Sequence, residues 1–132
     1  MVFTVSDLGF QAGRELCITG RVKPNCKVFS INFGYDFDNI AFHFNPRFNI
    51  GGIVKTIVCN SKKGDWSEEQ RYTFFPFEQG KEFKVSFTFN HENFYAKLTD
   101  GNMITFPNRF GTETFNHLHV AGDVTVSSMV VT

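Results

Sequence analysis

Net charge is missing from this chain: across 132 residues, thirteen Lys and Arg are cancelled by thirteen Asp and Glu. Without an excess of either sign, and without a run of like charge, there is no long-range field to draw in nucleic acid or an anionic membrane. Cysteine is scarce and odd in number. Cys17, Cys26 and Cys59 show no Cys-x-x-Cys spacing, so neither a disulfide framework nor a zinc site is expected, and free thiols made in a reducing compartment fit better. Long apolar runs are also lacking. The start, Met1-Val2-Phe3-Thr4-Val5-Ser6-Asp7, carries no basic n-region and no extended apolar core, and nothing approaches the roughly 20 residues of a membrane-spanning helix. Synthesis in the cytosol, with no signal peptide and no membrane insertion, is the expectation. Tryptophan is reduced to Trp66, against eighteen Phe and three Tyr. With Phe available to fill a core, the lone indole stands out.

What the chain does have is alternation. In Phe83-Lys84-Val85-Ser86-Phe87-Thr88-Phe89 all the apolar side chains fall on one face of an extended strand. Further apolar runs cover 16–22, 28–33, 40–48, 56–60, 70–75, 94–98, 103–106, 117–120 and 124–131. Turn residues such as Pro24-Asn25, Gly51-Gly52, Lys63-Gly64-Asp65, Asp100-Gly101-Asn102 and Gly122-Asp123 separate them. No stretch sustains a 3.6-residue period for three turns, and residues 112–115 allow one helical turn at most. About ten or eleven short strands at roughly 8–12-residue spacing predict an all-β fold, an antiparallel two-sheet sandwich or jelly roll. The length and the even spread of turns predict one domain, 1–132.

The most informative stretch is His43-Phe44-Asn45-Pro46-Arg47-Phe48. Pleating sends His43, Asn45 and Arg47 to one face and Phe44, Pro46 and Phe48 to the other. The second face belongs to a core. The first carries an imidazole, a carboxamide and a guanidinium, planar groups with fixed donor and acceptor directions. In Thr56-Ile57-Val58-Cys59-Asn60 the same alternation turns Ile57 and Cys59 inward and Asn60 outward, and Glu69 and Arg71 share a face of their own strand. If these strands pair consecutively, His43, Asn45, Arg47, Asn60, Glu69 and Arg71 gather beside Trp66. That inventory suits a sugar. Hydroxyls both donate and accept, and an axial hydroxyl leaves the opposite ring face as a patch of C–H groups that an indole can cover. Glu69, set between Arg47 and Arg71, would accept from sugar hydroxyls as a carboxylate.

Two other chemistries fit less well. A glycoside hydrolase generally needs two carboxyl groups flanking the scissile bond, one of them protonated. Only Glu69 is well placed here, and arginines beside it disfavour the protonated form, so no catalytic residues are assigned. His117 and His119 share a strand face, but no third ligand accompanies them. They read as two surface histidines; no metal and no cofactor is expected.

In their order and spacing, these residues resemble the galectins. The resemblance is carried by His43-Phe44-Asn45-Pro46-Arg47-Phe48, Ile57-Val58-Cys59-Asn60-Ser61-Lys62, Trp66-Ser67-Glu68-Glu69-Gln70-Arg71, Phe75-Pro76-Phe77, Phe106-Pro107-Asn108-Arg109 and Gly122-Asp123. It implies a jelly-roll, concanavalin-like sandwich with a single carbohydrate-recognition domain of the prototype kind. Such a domain binds β-galactosides such as lactose and N-acetyllactosamine on glycoproteins or glycolipids, needs no metal, and commonly forms a homodimer through its terminal strands. By the same resemblance His43, Asn45 and Arg47 take the galactose 4-OH, and Asn60 and Glu69 the 6-OH. Trp66 stacks on the ring, while Arg47, Glu69 and Arg71 reach the next sugar. Export without a signal peptide is implied as well. The chain departs from the family pattern at Ser67, where Gly is usual, in an Asn60–Trp66 span one residue shorter than expected, and at Asn49-Ile50-Gly51-Gly52-Ile53-Val54. The alternative is a module of the same fold that serves structure or protein binding.

Overall fold

A strand with one apolar face has to bury it against a second layer, and these strands do so in two stacked sheets. The computed structural model describes residues 2–132. Its strands are β1 (Phe3–Val5), β2 (Phe10–Gln11), β3 (Leu16–Val22), β4 (Phe29–Gly34), β5 (Asn39–Ile50), β6 (Ile53–Lys63), β7 (Asp65–Trp66), β8 (Gln70–Tyr72), β9 (Glu82–Phe89), β10 (Asn93–Lys97), β11 (Met103–Pro107), β12 (Thr114–Phe115), β13 (His117–Gly122) and β14 (Val124–Val131). One sheet is ordered β1-β13-β4-β5-β6-β7, with β8 taking a second part of the β6 edge; the other is β11-β10-β9-β3-β14. All pairings are antiparallel. The fold is the all-β sandwich expected from the alternation.

Each of the ten expected runs contains a strand. The additional strands, β1, β2, β7 and β12, have three residues or two each, too few to show a period. One of them corrects an expectation. Residues 114–115 form no helical turn; they pair with Phe10 and Gln11, because Phe115 is fully buried against Phe89 and Phe94.

Phenylalanine fills the space between the sheets. Phe42 of β5 stacks on Phe106 at 5.3 Å and 12°, and meets Phe94 at 5.1 Å and Phe87 at 6.0 Å, tying the site-bearing sheet to its partner. Full burial of such a ring is worth about 1.5–3 kcal/mol, and each aromatic pair adds about 0.5–1.5 kcal/mol. The three cysteines are free, with Cys26 and Cys59 buried. Burial pushes the Cys59 thiol upward and, ahead of the nearby Asp123 charge, the Cys26 thiol to about 11.

Two backbone details aim β5. Its register against β4 and β6 slips by one residue between Ile40 and His43, a bulge that re-aims the strand. Gly34 closes against this turn, where a Cβ would run into the Asn39 carbonyl oxygen. Past Phe44, pairing on the β4 side thins to the bridge between Val28 and Arg47. That is where Pro46 sits, with no N–H to contribute to a ladder.

Candidate functional site

Cross-strand register builds the site in rows. Thr4, His119, Asn32, His43 and Asn60 lie side by side on β1, β13, β4, β5 and β6. The next row along β5 holds Asn45, Val58 and Arg71, and Lys62 pairs with Trp66 at the other side of His43. Residues facing each other across neighbouring strands share a face, so the polar side of β5 continues onto β6, β7 and β8. The result is a depression of about 410 Å³ lined by His43, Arg47, Val58, Asn60, Trp66, Ser67 and Glu69.

Trp66 stands at its rim. The tight turn at Gly64, with φ of 76°, returns the chain so that Asp65 and Trp66 pair with the end of β6. The indole is 49% exposed and lies outside the core. Its ring centroid is 4.6 Å from that of His43, and the Lys62 ammonium lies 5.2 Å from the indole centroid. The shortened span from Asn60 still delivers the ring to the site, and the Ser67 carbonyl accepts from Asn60 Nδ2 at 3.1 Å.

Opposite the indole the polar groups are held from behind. His43 Nδ1 is hydrogen-bonded to Asn32 Oδ1. Burial pushes the His43 pKa down to about 4, so the ring is neutral at pH 7. Arg47 Nε donates to Asn45 Oδ1 at 2.9 Å, and Asn45 Nδ2 donates to the Phe29 carbonyl at 2.9 Å. Asn45 is only 5% exposed. It faces the site but acts chiefly as the anchor of a guanidinium whose Nη groups remain for the depression. Asn60 Oδ1 accepts from the Ser61 amide at 2.7 Å and from Arg109 Nη1 at 3.5 Å. Glu69 Oε1 accepts from Arg71 at 3.1 Å through Nε and at 2.9 Å through Nη2.

Of the seven residues singled out from sequence, His43, Arg47, Asn60, Trp66 and Glu69 line the depression. Asn45 lies beneath it, and Arg71 stands behind Glu69. The expectation that Glu69 sits between two arginines is met on one side. Its ion-pair partner among the described residues is Arg71, while Arg47 turns its Nε toward Asn45. Sequence reasoning gave no site role to Asn32, Ser67 or Arg109. The alternation of Ser30 and Asn32 with Ile31 and Phe33 carried a signal for the first; only the tertiary contact of a distant loop reveals Arg109, whose guanidinium stacks over Phe106 at 4.7 Å.

The two histidines of β13 are not surface residues. His117 and His119 are 6% and 7% exposed, joined by a hydrogen bond of 2.9 Å, and covered by Phe37 with ring centroids at 4.9 and 4.6 Å. Phe37 comes from the β4–β5 turn, which sequence alternation does not place. Among the described residues no group of three or more metal-ligating side chains occurs.

Burial also pushes His119 down to about 4, with His117 adding to the effect, and lowers His117. An unfolded chain protonates its histidines near pH 6.5, whereas the folded chain resists until about pH 4 for His43 and His119. The unfolded state therefore binds more protons across that window, and stability falls as pH drops through it. Urea unfolding midpoints should be lower at pH 5 than at pH 7. Equal midpoints would mean that these rings are not held neutral by the fold.

The family model described as galactoside-binding lectin matches residues 2–131. Galectin-1 of Ovis aries is 45% identical over 119 residues, which cover 89% of this chain and 88% of that protein. Among solved structures, congerin II liganded with lactose and MES superposes with a TM-score of 0.96 at 34% identity, covering 98% of each chain. CG-16, a homodimeric agglutinin from chicken liver, superposes with a TM-score of 0.94 at 37% identity, again covering 98% of each. Proteins of this kind are carbohydrate-binding lectins and not enzymes. Sequence, sandwich and match together leave one conclusion: this chain belongs to the galactoside-binding lectins, the galectins.

Proposed function

We propose that the depression binds the galactose ring of lactose- and N-acetyllactosamine-type glycans. The observation that carries this reading is a half-exposed indole set beside a neutral imidazole and an anchored guanidinium in one open hollow. In this reading the C–H face of galactose lies on Trp66. The axial 4-OH meets His43 and Arg47, with Asn45 fixing Arg47. Asn60 and Glu69 take the 6-OH, and Arg47, Glu69 and Arg71 extend to the next sugar. An equatorial 4-OH would leave these partly buried polar groups unpaired, which costs about 1–3 kcal/mol per group, so glucosides are rejected. All of these contacts come from side chains, so binding needs no metal. Open on one side, the hollow suits reversible binding in the micromolar to millimolar range, about −8 to −4 kcal/mol.

The whole chain, 1–132, acts in this reading as one carbohydrate-recognition domain and pairs as a homodimer through its terminal strands. β1 ends one sheet and β14 the other; unpaired strand edges invite a second copy. Half-exposed Val130 on β14 and the homodimeric CG-16 neighbour favour that arrangement. Two sites on one dimer would crosslink glycans and gain avidity without new contacts. In this reading the protein is made in the cytosol and reaches the glycans by non-classical secretion to the extracellular space.

Chromatography on lactose-agarose tests the central point. The protein should be retained in the presence of EDTA and eluted by free lactose but not by cellobiose. Passage straight through the column would favour a structural or protein-binding role for the same fold.

A further inference from the structure

We propose that Asn32 is a positioning residue that dictates the tautomer of His43 and thereby makes the site demand a hydroxyl able to donate a proton. The inference rests on the galactoside reading for its ligand, but its structural half stands on the protein alone.

Asn32 lies on β4, beside His43, and is 1% exposed. Its amide has one permissible orientation. Nδ2 lies 3.3 Å from the His119 carbonyl oxygen and 3.0 Å from Ser30 Oγ. A backbone carbonyl only accepts, so the group facing it must be the NH2. Oδ1 is thereby turned toward His43 Nδ1. A carboxamide oxygen cannot donate, so the hydrogen of that bond belongs to Nδ1. In a neutral imidazole the second nitrogen is then bare, and Nε2 is an acceptor.

Neutrality follows from what surrounds the ring. Arg47 on β5 and His119 on β13 oppose a positive charge there, whereas a hydrogen bond with the Asn45 side chain and the Glu69 carboxylate favour one; Asn32, Asn60 and Trp66 bring no charge. Burial is the largest influence, and with Arg47 and His119 it outweighs Asn45 and Glu69 and pushes the pKa to about 4. The other edge of His43 borders the depression. A hydroxyl arriving there finds a lone pair at Nε2 and N–H donors on Arg47. It must give its proton to the imidazole and accept from the guanidinium. Fluorine in its place could accept but not give. Asn32 thus acts on selectivity without touching the sugar, through a network that starts at the β13 backbone.

Two measurements test this. Long-range 1H–15N correlation spectra of the unmodified protein at pH 7 should show His43 with its proton on Nδ1. A proton on Nε2 would overturn the proposal outright, and no variant is needed to see it. Lactose and 4′-deoxy-4′-fluoro-lactose, with fluorine in place of the galactose 4-OH, are then compared by calorimetry, where the fluoro compound should bind at least about 10-fold more weakly; equal affinities would overturn the donor requirement. Asn32→Asp keeps an acceptor at Nδ1 but adds a negative charge. It should bind lactose like the parent at pH 8 and weaken as pH falls toward 5.5, where the parent stays level. Asn32→Leu should lose at least about 10-fold in affinity and show a mixture of tautomers. Parental affinity together with an unchanged His43 spectrum in Asn32→Leu would also count against the assignment. If the parent binds no lactose at all, the galactoside reading fails, while the tautomer spectrum still decides the role of Asn32.

Discussion

Trp66→Ala should cut lactose affinity by about 30- to 150-fold, equivalent to roughly 2–3 kcal/mol, and leave the fold as stable as before. The indole presents a half-exposed face at the rim of the depression and contributes nothing to the inter-sheet core. Covering about 60–80 Å² of apolar surface on ring and sugar is worth about 1.5–2 kcal/mol at 25 cal/mol/Å², and directional contact with the π face adds about 0.5–1 kcal/mol. Its neighbours are His43 and the Lys62 ammonium, both of which regain water when the ring is removed. Isothermal titration should therefore show lost binding, and urea unfolding a midpoint within error of the parent. A variant that binds lactose normally removes Trp66 from the site. One that unfolds far more easily makes the ring a structural member instead.

Arg47→Ala should be at least as damaging to binding, by about 100-fold or more, and should also cost about 1–2 kcal/mol of stability. Charge-assisted hydrogen bonds are the strong ones, at about 1.5–3 kcal/mol each, and Arg47 is the cation whose Nη groups are left for the depression. Its removal also strips Asn45 Oδ1 of its 2.9 Å donor in a pocket of the sheet that is almost closed to water. An acceptor left alone there pays the desolvation cost. Arg47→Lys separates the two effects. An ammonium restores the charge but cannot hold Asn45 through one nitrogen while offering two more to the ligand in the same plane. Lysine should thus recover stability better than affinity. Parental lactose affinity in Arg47→Lys would show that charge alone is required, and the planar fork would lose its role.

The expected contrast between Trp66→Ala, which should lose binding while stability stands, and Arg47→Ala, which should disturb both, reflects how differently the two side chains are held. Trp66 is carried by a two-residue strand beyond a tight turn. Arg47 is set in the longest strand of the sheet, in contact with a buried carboxamide. The same contrast explains what could be read beforehand. Facing is a local property. The pleat alternates with period two, so His43, Asn45 and Arg47 could be assigned to one side, and Phe44 and Phe48 to the other, without knowing any neighbour. Depth is not local. Nothing in the strand itself says that Asn45 would be nearly closed off while Arg47, two residues on, stays half-open. Nor does it say that Glu69 would pair with Arg71 and leave Arg47 to Asn45.

The histidines of β13 make the point most plainly. Their alternation with Leu118 and Val120 correctly turns them away from the core, and away from the core ordinarily means toward water. Phe37, arriving from the turn between β4 and β5, lies across both rings and closes them in. Short paired segments such as 10–11 with 114–115 were unreadable for a related reason: two residues cannot display a period, and their partner lies a hundred positions away.

The amino-acid order by itself thus determined the all-β class, the Phe-filled interior, the polar face of β5 and the family, since each depends on spacing within a strand or motif. Tertiary structure alone decided which groups stand next to His43, because a cross-strand neighbour is chosen by register, and one bulge near Ala41 shifts every pairing beyond it by a residue. Asn32 behind the imidazole is a product of that choice, whereas Arg109 reaches Asn60 from the loop after β11, brought there by the packing of one sheet on the other.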